Sequence, residues 1–80
     1  MSTESAATAL FASCLQPSEL PTCDQAWAAI RDSLRRHGGV RGCTAVCAVE
    51  YGDHPDTARA RMSWALELVA QFRRLAPMAA

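Results

Sequence analysis

Glycine and proline cut this chain into pieces of helical length. Pro17 and Pro21, Gly38 with Gly39, Gly52 followed by Pro55, and finally Pro77 punctuate it. Each interrupts regular hydrogen bonding, because proline lacks an N–H and glycine loses the most backbone freedom on ordering. Between these breaks apolar residues recur at the i, i+3, i+4, i+7 spacing of one helical face. Only 43–51, "CTAVCAVEY", is apolar on nearly every side, and Val46 and Val49 lean towards a strand. No second strand is available to pair with it, and an isolated strand is unstable, so a helix is expected there. The chain should therefore be all-α, a compact bundle of three to four helices over about residues 3–16, 22–37, 43–51 and 55–75. It should form a single small helical domain over residues 1–80.

The helix ends carry their own signals. Ser2 or Thr3 can cap the first helix, Glu4 suits its positive end, and Pro17 stops it. Thr22 and Gln25 form a capping box for the second, in which Trp27, Ile30 and Leu34 make a stripe and Gly38–Gly39 the stop. "GGVRG" then reads as a loop holding Arg41. Gly52 takes the next turn, Asp53 caps the last helix, and Pro55 fills its first turn, where the missing N–H costs nothing. In that helix Ala58, Met62, Ala65, Val69, Phe72 and Ala76 line one stripe, and Trp64, Leu68 and Leu75 a second. Together they span about 200°, more than the stripe of a helix packed on one side only. Something must cover both.

Eighty residues sit near the lower limit for a self-sufficient core. A second copy or a protein partner would add stability, and the double stripe on the last helix is where it is expected to bind: Trp64, Leu68, Phe72 and Leu75. Charge is unevenly shared although the chain is neutral overall. Residues 1–30 hold Glu4, Glu19 and Asp24 and no base, a net −3, whereas 31–80 hold all eight arginines against five acids, a net +3. The second half thus suits an anionic partner. No run reaches the ~18–20 apolar residues of a membrane span, and the first residues lack the pattern of a signal peptide. No membrane association and a cytoplasmic location are expected, with the four cysteines as thiols or ligands and not disulfides.

Residues 44–62 resemble a helix-turn-helix segment of a small bacterial, actinobacterial-type regulatory protein. Ala48 occupies the spot where two helices would cross closely, Gly52 the turn, and Ala58 the position that packs back. Asp53 and Arg61 stand where that family carries buried aliphatic residues. The resemblance implies a second helix lying in the major groove of double-stranded DNA. Asp56, Thr57, Arg59 and Arg61 would then be exposed near the bases. Thr57, Arg59, Arg61 and the loop residue Arg41 are the candidate DNA contacts, arginine for guanine or phosphate and threonine for phosphate or a thymine methyl.

Cys43 and Cys47 lie one helical turn apart and could supply half of a tetrahedral zinc site, completed by Cys14, Cys23 or His54. The spacing matches no finger or ribbon, so these cysteines are expected to be small buried apolar residues, with no metal and no cofactor. Cys47 and His54 could be drawn as nucleophile and base, but no oxyanion donors or orienting residue accompany them. A non-enzymatic protein is expected. Three readings stay open: a DNA-binding or transcription-associated regulator, a helical adaptor binding protein without nucleic acid, and a Cys-ligated metal sensor.

Overall fold

The computed structural model describes residues 1–75, the side chain of Leu75 excepted. They form four α-helices, α1 (Thr3–Phe11), α2 (Cys23–His37), α3 (Val40–Asp53) and α4 (Pro55–Leu75), with a 3-10 turn at Pro17–Glu19. The protein is all-helical, as the punctuation of its sequence implies. Two of the expected caps are in place. Ser2 Oγ accepts from the Ser5 N–H at 3.0 Å. Thr22 Oγ1 accepts from the Gln25 N–H at 3.1 Å while Gln25 Oε1 accepts from the Thr22 N–H at 2.9 Å, the reciprocal capping box.

Three boundaries differ from expectation, each for a local reason. α1 stops at Phe11, five residues before the expected Gln16. Ser13 Oγ donates to the Leu10 carbonyl at 2.6 Å and accepts from the Leu15 N–H at 3.2 Å, which turns the chain out of the helix. Cys14, inside the expected helix, therefore lies beyond its end and is exposed. The supposed loop at Val40–Gly42 is the first turn of α3, opened by Gly39 at φ +89°. At the far end α3 runs on through Gly52 to Asp53. Gly52 is helical and supplies no turn, and Asp53 belongs to the helix it follows. What ends α3 is Pro55: the residue before a proline is driven out of the α region, and His54 sits at φ −140°, ψ 67°.

Arg61 bonds to Phe11 at one end of α1 and Arg73 donates to the Met1 carbonyl at the other, so α1 and α4 run antiparallel. α1 packs against all three other helices. Its alanines allow this: Ala6, Ala7, Ala9 and Leu10 have no exposed surface and meet Ile30, Cys43, Ala65 and Val69 in one core. Phe11, Cys47 and Ala58 form a smaller cluster beside it. The first stripe of α4 is buried at Ala58, Ala65, Val69 and Phe72, with Met62 packed against it. Ala76 lies outside the described residues. No helix among the described residues is long and apolar enough to cross a membrane.

Candidate functional site

The residues expected to read DNA do not form one surface. Arg61 turns inward. Its Nε donates to the Phe11 carbonyl at 2.8 Å, and one terminal nitrogen lies 2.9 Å from the Leu15 carbonyl, 3.0 Å from that of Ser13 and 3.4 Å from that of Leu10. The guanidinium also lies over Phe11 and Trp64, 5.7 and 5.0 Å from the ring centroids. It is the C-terminal cap of α1, supplying a cation where the last carbonyls of the helix gather. Burial pulls its pKa down, and neighbouring Cys47, Cys14 and Glu50 oppose that shift. The expectation of an exposed Arg61 is thereby corrected. A side chain standing at an aliphatic position still meets the core, through its stem and ring contacts, while its head binds backbone.

Arg59 is exposed and paired with Asp56 one turn earlier. Thr57 is exposed at the mouth of a cavity of about 300 Å³ that Arg61, Glu50 and Phe11 also line. Arg41 sits in the first turn of α3, twelve residues and about 18 Å from Asp53. Around the α3–α4 corner Asp53 and Asp56 are exposed and Glu50 is half-buried, so three acids gather where a recognition helix would meet phosphates. Ala48 is exposed and therefore marks no close helix crossing.

Only two of the four cysteines are the buried apolar residues expected, Cys43 and Cys47; Cys23 is half-buried, and Cys14 is exposed with its Sγ accepting from Arg36 at 3.0 Å. Cys43 is fully buried, its Sγ 3.7 Å from the Ser33 carbonyl, and Cys47 Sγ lies 3.8 Å from that of Thr8. Burial, with Cys43 alongside, pushes the Cys47 thiol up to about 11. His54 is exposed. Among the described residues no three His, Cys, Asp or Glu side chains gather as metal ligands would.

The expected partner surface fares differently. Phe72 is only 7 % exposed and belongs chiefly to the core, and the side chain of Leu75 lies outside the described residues. Trp64 and Leu68 are half-buried, and with Phe72 they floor a groove of about 350 Å³. Its opposite wall is Pro17, Leu20 and Pro21, so the segment between α1 and α2 covers the second stripe of α4 in part and leaves a trough. Leu20 stands 84 % exposed at the rim, with φ +48°. For a residue with a β-carbon that left-handed conformation costs roughly 1–2 kcal/mol. Two prolines framing one leucine were the available signal that this segment is a stiff, shaped wall. Among the described residues Glu67 and Gln71 are the polar members of the lining, and Glu67 its only charge.

Comparison of the chain with protein-family models, curated proteins and solved structures yields no match in any of the three.

Proposed function

We propose that this protein is a non-catalytic helical adaptor whose groove between the Pro17–Pro21 segment and α4 receives an apolar side chain of a protein partner. The observation that carries the reading is Leu20. A leucine is kept exposed, in a left-handed conformation, on the rim of a trough floored by Trp64, Leu68 and Phe72. Aromatic and aliphatic side chains around a concave patch are the usual anchors of protein recognition. Glu67 at the edge favours a partner segment with a lysine or arginine next to its apolar anchor.

Selection of phage-displayed peptides on the whole protein tests this. Bulky apolar residues beside a basic one should be enriched, and Leu20→Asp should weaken the selected peptides at least tenfold. That variant leaves the core alone, since Leu20 lies outside it. Failure to enrich any peptide, or binding indifferent to Leu20→Asp, would overturn the reading.

Of the residues expected to contact DNA, Arg41 alone keeps company with other exposed arginines: a DNA-binding reading would now draw on it with Arg31 and Arg35 around the α2–α3 turn, in place of Thr57, Arg59 and Arg61. A duplex titration at two salt concentrations decides between the two. Affinity that falls steeply as salt rises would put nucleic acid in place of the protein partner.

A further inference from the structure

Away from the groove, α3 presents a second unpartnered surface. Cys43 and Cys47 face the core, and on the opposite side of the helix Arg41, Ala45, Ala48 and Gly52 form an exposed stripe flanked by Thr44 and Val49. Val49 is 60 % exposed. A helix apolar on all sides is normally covered on all sides, and α3 is covered on one.

The charges at its ends say what covers the rest. A helix favours acids in its first turn and bases in its last, because of its dipole. α3 has the reverse: Arg41 and no acid in the first turn, Glu50 and Asp53 and no base in the last. Between Arg41 and Glu50 it carries no charge at all. This arrangement is unfavourable for the helix alone and complementary to an antiparallel copy of itself.

We infer that α3 is the interface of a two-fold dimer, in which a second copy of this chain packs antiparallel across Ala45 and Ala48, with each Arg41 meeting the partner's Asp53. In that arrangement Arg41 of one reversed end and Asp53 of the other are paired, while Glu50 stays on the core side near Arg61, and the two dipoles oppose. Alanine and glycine let the backbones approach closely, and an alanine-type side chain at Gly52 would meet nothing within the monomer. The pairing is isologous, so each favourable contact occurs twice. An expected dimer is thus placed on the third helix, whereas Trp64 and Leu68 remain in the groove. The inference does not depend on what that groove binds.

Sedimentation equilibrium over a range of chain concentrations tests it, with far-UV circular dichroism to verify that each variant is folded. The wild-type mass should rise from one chain towards two. Arg41→Glu and Asp53→Arg should each raise the dimer dissociation constant at least tenfold, because each places like charges in both contacts. Mixing those two variants should restore association, since both contacts of the mixed dimer then join opposite charges. Ala48→Arg should abolish it, while Leu20→Asp should leave it unchanged. A wild type that stays one chain at every concentration, a mixture that fails to recover, or a dimer indifferent to Ala48→Arg would each overturn the inference.

Discussion

The two ends of α3 are both corners marked by glycine, and they are built on different principles. At the α2–α3 end the backbone holds the turn. Gly38 and Gly39 have φ +77° and +89°, and both of their N–H groups donate to the Leu34 carbonyl. Gly42 then lies against the end of α2, where a β-carbon would come within 1.4 Å of the His37 carbonyl oxygen. At the α3–α4 end side chains do the holding. Gly52 is helical and has open space around it, while Phe11 stacks on Tyr51 and Arg61 ties α4 to the end of α1. The same residue type is a steric necessity at one end and dispensable at the other.

Substitutions at the two ends should therefore differ in sign as well as size. Gly42→Ala should have the largest effect, a loss of about 3 kcal/mol or more, since two backbone segments must separate to admit one methyl. A domain of this length has only on the order of 3–5 kcal/mol to lose, so circular dichroism should show a largely unfolded chain. Next is Arg61→Met, which keeps the packing of the stem but strips the carbonyls of α1 of their donor. A loss of about 2–3 kcal/mol is expected from urea midpoints. Arg61→Lys should recover less than half of it, because one ammonium cannot reproduce the planar fork. The smallest effect should be a gain. Gly52→Ala should stabilise by about 0.5–1 kcal/mol, through helix propensity and a less disordered unfolded chain, measured at concentrations low enough to keep the chain monomeric. If Gly42→Ala and Gly52→Ala moved the midpoint the same way, the contrast between the corners would be lost.

Much of the fold was legible because it is written locally. The capping box at Thr22 and Gln25, the stop at Gly38, and the stripe from Ala58 to Phe72 all depend on neighbours within a turn or two. The errors fall where a distant or less obvious group decides. A glycine followed by an aspartate reads as a turn, yet a helix accepts both, and the proline beyond them sets the end of α3. The helix-turn-helix resemblance places Arg61 on the surface, whereas the carbonyls that draw it inward lie 46 to 51 residues away in the chain. Of the candidate site, Trp64 and Leu68 could be seen as a stripe needing cover. For the wall that partly covers them the two prolines signal stiffness only, because a leucine between them has no periodicity to reveal which way it points.

The position of α1 has a consequence for how the chain reaches this state. Nine residues cannot hold a helix unaided in water, since nucleation outweighs so few propagating bonds. Yet α1 packs against all three other helices, and the Phe11 carbonyl at its end accepts from Arg61, fifty residues away. The segment that precedes all the rest in sequence is thus consolidated by contacts of large sequence separation. Such contacts bear the full cost of loop closure before they contribute stability. Local pairing of α2, α3 and α4 can form early, and the docking of α1 among them is the step that turns three associated helices into one cooperative unit.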